Sequence, residues 1–269
     1  AMRLAPYQKM QVWDGDGTGE ISFSSAQLHQ PNLGHIVENS VAIAALIATA
    51  RDMNLNILCS TKVVGLTEPD DGTRVLSCER ELAEGDCESL SLSAKLVIGA
   101  DGAMSKVRQL AAIGLWQWDY GHHAIVATLK TQKPHQATAW QRFTSDGPLA
   151  FLPLADKHTS SIVFSTSPEH AKALMALDSD AFVQVLAREF ESKLGAVTQV
   201  SKRAVFPLRQ RHAKQYVQQG LVLIGDACHT IHPLAGQGVN LGLLDVASLV
   251  QVLIQAKARK QDIGEERLL

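Results

Sequence analysis

The residues whose types and spacing could bind a ligand are most concentrated in the segment Gly220–Gly242, which joins an apolar run to a glycine-rich turn and a helical pattern. Asp226 stands where the apolar run ends, so its carboxylate is placed to accept hydrogen bonds from a polyol. Pro233 stiffens the loop. Backbone N–H groups near residues 238–240 would face an anionic or electron-rich ring edge, helped by the helix dipole. The candidate ligand-binding residues here are Gly225, Asp226, Pro233, Gly236, Gly238, Val239 and Asn240.

A second segment of the same kind, Val97–Arg108, ends an apolar run in Gly-Ala-Asp-Gly and passes directly into a short helix. Its glycines let the backbone approach a ligand closely. Asp101 either accepts from a sugar hydroxyl or caps the helix, and Arg108 either meets a phosphate or braces a neighbouring loop. An ordinary strand–helix turn explains the same residues equally well. The candidates in this segment are Asp101, Gly102, Ser105 and Arg108.

Other residues whose side chains could bind a metal or transfer a proton do not form a recognisable site. His229 and His232 lie three residues apart on a loop without a third metal ligand nearby in sequence, and the four cysteines form no CxxC pair, so no metal site is predicted. Asp14-Gly-Asp-Gly-Thr-Gly resembles the start of a calcium loop, but its twelfth position is Ser25 rather than a bidentate acid. No side chain is assigned as a catalytic base.

The elements that must position these segments follow from hydrophobic patterning. A hairpin is predicted around the Asp14–Gly19 turn, and helices at 41–53 (capped by Asn39 or Ser40), 179–194 and 238–256. Strands are predicted at 56–59, 62–67, 74–78, 89–92, 95–99, 123–130, 139–143, 150–154, 160–165, 204–208 and 221–224. The strands at 95–99 and 221–224 lack alternation, which favours burial on both faces of a layered sheet. The order is α/β, then mostly β, then α/β, which predicts one domain interrupted by another.

Composition excludes several classes of function. The chain has 25 Lys+Arg against 27 Asp+Glu, a net charge of -2, which argues against nucleic acid or anionic lipid as its main partner. With 46% hydrophobic and 19% charged residues, the sequence is that of a globular protein. Apolar stretches such as Val41–Ala50 are shorter than the roughly 20 residues that a membrane-spanning helix needs.

The two segments together resemble the downstream fingerprints of FAD-dependent aromatic hydroxylases, the group A flavoprotein monooxygenases. Within this family the chain is most similar to the ubiquinone-biosynthesis hydroxylases, nearest the octaprenylphenol hydroxylase branch. The stretches that carry the narrower resemblance are Asp226–Gly242, Gly34–Val41, Trp118–Ala127, Leu149–Leu154 and Val205–Leu208. The resemblance implies that Asp226 contacts the ribityl chain of FAD and that residues 233–240 lie against its isoalloxazine ring. It also implies that the segment at Asp101 supports FAD and NAD(P)H use.

The family resemblance implies a fold like that of para-hydroxybenzoate hydroxylase: a mixed α/β, Rossmann-like FAD-binding domain, here partial, interrupted by a mostly antiparallel β-sheet substrate domain. Residues 1–33 are then a hairpin of the substrate domain, and residues 115–208 form its sheet. Residues 34–114 and 209–269 belong to the FAD-binding domain. The family's GxGxxG turn does not occur in the sequence, and the family's last helices also have no counterpart. We therefore expect a fragment that is inactive alone and self-associates through bared apolar surface.

By the same resemblance, the parent protein uses FAD, NADH or NADPH, and O₂ to hydroxylate a polyprenylated phenol. Phe151, Leu152, Pro153 and Leu154 are candidates for the wall of its pocket. A lipophilic substrate implies a cytoplasmic protein peripheral to the inner membrane. The resemblance also implies other ubiquinone-biosynthesis proteins as partners. Two alternatives stay open: a flavin hydroxylase of a soluble aromatic compound, and a flavin-free, non-catalytic module.

Overall fold

The structure is a computed structural model that describes residues 3–68, 70–82, 85–232 and 236–269. Its helices are α1 (Asn39–Asp52), α2 (Lys106–Leu110), α3 (Pro168–Ala176), α4 (Ser179–Glu189) and α5 (Gln237–Ala258). Its strands are β1 (Leu4–Tyr7), β2 (Lys9–Asp14), β3 (Glu20–Ser24), β4 (Gly34–Val37), β5 (Thr61–Leu66), β6 (Arg74–Glu81), β7 (Cys87–Ala94), β8 (Val97–Gly99), β9 (Leu115–Thr131), β10 (Thr138–Thr144), β11 (Gly147–Pro153), β12 (Thr159–Thr166), β13 (Val197–Val200), β14 (Ala204–Ala213), β15 (Val217–Gln218), β16 (Leu221–Leu223) and β17 (His229–Thr230).

The chain forms two compact units, each built from two separate stretches. Unit 1 comprises Ala1–Asn56 and Gly121–Leu208, and unit 2 comprises Ile57–Tyr120 and Arg209–Leu269. The alternation of stretches agrees with one domain being interrupted by another. The two units are defined by contacts within the chain and not by ligands. The division into cofactor and substrate domains at residues 33/34, 114/115 and 208/209 therefore stays a prediction.

Unit 1 is a sheet with strand order β9-β12-β11-β10-β2-β3, antiparallel except for the parallel pair β10–β2. The predicted hairpin is confirmed, with Lys9 opposite Ser24 and Trp13 opposite Glu20. One face of the sheet is sealed by α3 and α4, because apolar side chains alternate along the strands and recur at helical spacing on α4. The buried residues of this core include Ile125, Leu149, Phe151, Ile162, Phe164, Phe182, Leu186 and Phe190.

The core of unit 1 changes the interpretation of one predicted pocket residue. Phe151 is fully buried, and its ring stacks on that of Phe190 with centroids 3.6 Å apart. Strand alternation places it on the helix-covered face, opposite Trp140 and Ile162 in the register. Phe151 is therefore a core residue rather than part of a pocket wall, whereas its neighbour Leu152 is half-buried.

Unit 2 contains the antiparallel sheet β5-β6-β7 and the small sheet β15-β16-β8. Strands β8 and β16 are parallel, with Val97 opposite Leu221 and Gly99 opposite Leu223. The core beneath them is formed by Val97, Val107, Ala111, Ile113, Ala213, Leu221, Leu223 and Cys228. Burial on both faces holds for β16 but not for β8, because Ile98 is 44% exposed.

Several sequence predictions of local structure were wrong. The segment 56–59 is not a strand: Asn54 and Ser60 adopt left-handed backbone conformations that turn the chain at either end of it. Helix α1 begins at Asn39, so neither Asn39 nor Ser40 is its cap; Glu38 is, without a side-chain bond. Helix α3 was not predicted at all, although Pro168 at its first turn is a typical start signal.

Helix α5 is long and apolar, and most of it is exposed. It has 22 residues, and an 18-residue stretch within it has a mean hydropathy of 1.6 and is 11% buried. By length and composition it is the one helix of the described residues that could cross a membrane. The expectation that no apolar stretch is long enough was wrong, because interspersed glycine and polar residues hide the length of this one in the sequence.

Asp146 anchors the start of α3 and should make the stability of unit 1 depend on pH. Its carboxylate accepts hydrogen bonds from Ser167 and His170 and from the Thr166 hydroxyl. Burial raises the pKa of Asp146, but these hydrogen bonds outweigh it and lower the pKa to about 2. A depressed pKa stabilises the fold above the ordinary value of 3.8, and this stabilisation is lost as the pH falls towards 2.

We expect Asp146→Ala to reduce the free energy of unfolding by about 1 kcal/mol at pH 7, a figure discounted because the side chain is partly exposed. The difference from wild type should shrink as the pH falls from 4 to 2, as measured by urea denaturation. Asp16→Ala removes an exposed carboxylate in the β2–β3 turn of the same unit and is the control. An equal effect of both variants at every pH would contradict this role for Asp146.

Candidate functional site

The two glycine- and aspartate-containing segments start from neighbouring parallel strands. Because β8 and β16 run in the same direction, both segments leave the sheet at the same carboxyl edge. Gly99 ends β8, and a Cβ there would lie 2.6 Å from Leu223 Cδ2 and 3.1 Å from Val107 Cγ1. Close packing in unit 2 therefore requires glycine at this position, which is a different reason from the ligand approach inferred from the sequence.

Asp101 and Ser105 both cap helix α2. Asp101 Oδ2 accepts from the backbone N–H groups of Lys106 (2.7 Å) and Val107 (3.0 Å), and Ser105 Oγ accepts from Arg108 N–H (2.9 Å). Gly102 has a φ of +82°, a conformation that favours glycine. Of the alternatives left open for Asp101, the structure shows capping, and it uses only one of the two carboxylate oxygens.

Arg108 joins the two segments. It is 3% exposed, and its Nη1 donates to Ala227 O at 2.7 Å, a residue 119 positions away, while Nη2 donates to Ala103 O at 3.0 Å. Burial lowers the pKa of Arg108, and the nearby Asp101 carboxylate opposes that effect. The guanidinium therefore braces a neighbouring loop, one of the two roles that the sequence allowed, and both donors are engaged by the protein itself.

The turn that follows β16 presents Asp226 outwards. Gly225 has a φ of +58°, and residues 225–227 form a single turn of 3₁₀-helix. Ala227 and Cys228 are buried, whereas Asp226 is exposed and its carboxylate has no hydrogen-bond partner within the described ranges. This carboxylate is therefore available to a ligand.

The first turn of α5 is open beside this turn. Gly236 has a φ of +64° and precedes the helix without providing a side-chain cap. A Cβ at Gly236 or Gly238 would meet nothing within 4 Å, and Val239 is 72% exposed. Asn240 is also exposed. The helix packs tightly against the Asp226 turn, since a Cβ on Gly242 would lie 3.2 Å from Gly225 Cα. Pro233 lies outside the described residues.

Three residues that the sequence did not single out as a group lie beneath the Asp226 turn. Asp245 Oδ2 accepts from His229 Nε2 (2.7 Å) and Gly225 N–H (2.8 Å), and Cys228 Sγ lies 3.8 Å from the same oxygen. Burial, followed by the Asp245 charge, raises the pKa of the Cys228 thiol to about 12. The 2.7 Å separation between Nε2 and Oδ2 is that of a hydrogen bond.

His232, the other histidine considered as a metal ligand, packs instead edge-on against Tyr120, with ring centroids 4.8 Å apart. For the group formed by Cys228, His229 and Asp245, the signal in the sequence was Asp245, the sole acidic residue in the apolar pattern of α5.

Among the described residues, the arrangement offers one outward carboxylate beside the N-terminus of α5, where Gly236 provides no side-chain cap and a Cβ at Gly236 or Gly238 would meet nothing within 4 Å. A carboxylate accepts hydrogen bonds from hydroxyls, and a helix N-terminus attracts anionic or electron-rich groups. The residues present therefore fit a ligand that combines a polyol chain with an electron-rich ring edge, as FAD does. Within the part of the chain that the structure describes, the helix start has no side-chain cap and the Asp226 carboxylate has no hydrogen-bond partner, and these observations support the fit.

Comparisons with known proteins agree with this geometry. A family model described as "FAD binding domain" matches residues 16–263. The 3-demethoxyubiquinol 3-hydroxylase of Escherichia coli (strain K12) is 42% identical over 259 residues, which cover 96% of this chain and 63% of that protein. The mitochondrial ubiquinone biosynthesis monooxygenase COQ6 of Xenopus tropicalis is 37% identical, covering 100% of this chain and 65% of the relative. The chain thus spans slightly less than two thirds of the length of these relatives.

Solved structures show the same fold at lower identity. PqsL of P. aeruginosa, in complex with 2-aminobenzoylacetate, superposes with a TM-score of 0.79 at 21% identity, covering 97% of this chain and 71% of that one. The p-nitrophenol 4-monooxygenase PnpA of Pseudomonas putida DLL-E4 gives 0.72 at 20% identity, covering 96% and 65%. The fold class inferred from the resemblance is confirmed. The chain belongs to the FAD-binding domain family, and the ubiquinone-biosynthesis hydroxylases are among its relatives.

Proposed function

We propose that the chain is the flavin-binding and substrate-binding part of an FAD-dependent monooxygenase that hydroxylates a polyprenylated phenol in ubiquinone biosynthesis. The observation that carries the proposal is the meeting of the two segments at one sheet edge, with the Asp226 carboxylate turned outwards beside the open start of α5. The relatives named as ubiquinone-biosynthesis enzymes support the choice of substrate class.

Named residues of unit 2 would hold the cofactor. Asp226 would accept hydrogen bonds from the ribityl hydroxyls, and the N–H groups at Gly238, Val239 and Asn240 would face the electron-rich edge of the ring. Asp101, Ser105 and Arg108 would act through the backbone, because their hydrogen bonds fix the two turns around the site. When bound, FAD supplies the redox chemistry, with NADH or NADPH as reductant and O₂ as the source of the transferred oxygen.

The chain's own part is to bind and orient. A buried, hydrogen-bonded frame under the Asp226 turn keeps its carboxylate in place without reorganisation when the ligand arrives. Within the described residues no side chain is assigned as a general base, since the histidines of unit 2 either pair with Asp245 and Tyr216 or pack on Tyr120. We further propose a cytoplasmic location at the inner membrane surface, because a polyprenyl chain partitions into lipid.

Titration of the 269-residue chain with FAD tests the proposal. We expect saturable binding. The flavin absorption bands at about 370 and 450 nm should change on binding, because the cofactor's chromophore is sensitive to its surroundings. Binding that does not saturate, or that a denatured sample shows equally, would overturn it.

The substrate class is tested separately, with the complete gene product, NAD(P)H and O₂. The expected result is hydroxylation of a prenylated phenol in preference to the same phenol without its chain. The reverse preference would favour the alternative of a soluble aromatic substrate.

A further inference from the structure

We propose that Asp245 is the positioning residue of the cofactor site: from helix α5 it holds the turn at residues 225–228 in the conformation that presents Asp226 to the ligand. The inference rests on the proposed function for the identity of that ligand, but not for the conformation of the turn. Asp245 acts through the turn, because its carboxylate accepts from Gly225 N–H and from His229 Nε2.

The geometry of the turn gives Asp245 this role. Its Oδ2 accepts from Gly225 N–H at 2.8 Å, immediately before Asp226 in the chain. On the other side of Asp226, Ala227 O accepts from Arg108 at 2.7 Å. The backbone is thus fixed on both sides of Asp226 by a charged side chain, one from α5 and one from α2. Between these two anchors, the Asp226 side chain is the one that points to solvent.

The strength of the first anchor comes from charge. Asp245 is the sole acidic residue of α5, and its side chain is 28% exposed. It shares one oxygen between Gly225 N–H and His229 Nε2, which itself is 11% exposed. Hydrogen bonds to an ionised acceptor are stronger than neutral ones. The turn has local hydrogen bonds from Cys228 N–H and Sγ to Gly225 O, whereas Asp245 is the side chain that holds Gly225 N–H.

His229 helps to hold the Asp245 carboxylate, because its Nε2 is hydrogen-bonded to Asp245 Oδ2. The ring lies on β17, whose backbone pairs His229 with His212 of β14. Tyr216 O–H lies 2.8 Å from His212 Nδ1, and its ring centroid is 6.1 Å from that of His229. His229 Nε2 is the ring atom bonded to the Asp245 carboxylate, and the rings of His212 and Tyr216 lie next to that of His229. A substitution of His229 should therefore loosen the turn less than a substitution of Asp245 does.

The experiment compares Asp245→Ala and Asp245→Asn with Gln251→Ala, an exposed polar position on the same helix, in the full 269-residue chain. Hydrogen–deuterium exchange without cofactor reports the turn, and titration reports the affinity for FAD. We expect exchange at residues 225–228 to rise about tenfold in Asp245→Ala and less in Asp245→Asn, with exchange in β8 and β16 unchanged. The Kd for FAD should rise about tenfold in Asp245→Ala, and Gln251→Ala should behave as wild type.

The two readouts separate the inference from the proposed function. If wild type does not bind FAD while the turn loosens in the Asp245 variants, the proposed function fails and the positioning role holds. If exchange at the turn is unchanged, or rises equally throughout unit 2, Asp245 is not a positioning residue and the inference is overturned. Should Asp245→Ala not fold, the isosteric Asp245→Asn carries the same comparison.

Discussion

Replacing Arg108 by methionine is expected to lower the free energy of unfolding of unit 2 by about 3 kcal/mol. The guanidinium is 3% exposed and donates to two backbone carbonyl oxygens, Ala227 O and Ala103 O. Methionine fills most of the volume but has no donor, so the buried Ala227 carbonyl and the partly buried Ala103 carbonyl both lose their partner. An unsatisfied buried polar group costs about 1–3 kcal/mol, which sets the size of the expected effect.

The measurement is urea denaturation of wild type and Arg108→Met, followed by near-ultraviolet circular dichroism. Lys106→Met is the matched control, because it makes the same change at an exposed position of the same short helix and should change stability by less than about 0.5 kcal/mol. If the two variants lose equal stability, Arg108 does not brace the turn at Ala227. Arg108→Lys should lie between them, since an ammonium group cannot reproduce the two-pronged geometry.

Asp226→Ala is expected to weaken FAD binding by about 10- to 100-fold and to leave folding stability unchanged. Asp226 is exposed and has no partner in the described part of the chain, so its removal leaves no buried group unsatisfied. A charge-assisted hydrogen bond to a ligand is worth about 1.5–3 kcal/mol, which corresponds to the stated range of Kd. The retained stability of Asp226→Ala contrasts with the loss of stability that Arg108→Met should show in urea.

Titration with FAD and thermal unfolding, on the same preparations, check this prediction. Asp86→Ala removes another exposed aspartate of unit 2 that has no side-chain partner in the described residues, and its Kd should equal that of wild type. Asp226→Asn keeps a carbonyl acceptor without the charge and should lie between Asp226→Ala and wild type. Equal affinities for all four proteins would show that Asp226 does not contact the cofactor.

Sequence patterning was sufficient for part of the local structure. The Asp14–Gly19 hairpin, the parallel strands at Val97–Gly99 and Leu221–Leu223, and the helix after Gly236 follow from periodicity and turn residues within a few positions. The type and place of Asp226, an acceptor at the end of a buried strand, are equally local. The sequence could therefore indicate both segments and the kind of ligand they suit.

Only the tertiary structure decided which side chains meet. Arg108 had two roles open to it in the sequence, and packing of α2 against the turn at Ala227, 119 residues away, selected one. Phe151 was assigned to a pocket wall because the sequence shows that a strand alternates but not which face its helices cover. Asp245 was not singled out in the sequence, because the packing that brings it to Gly225 and His229 is visible only in the tertiary structure. Local propensity acts over a few residues, whereas a buried charge finds its partners through contacts between elements that are distant in the chain.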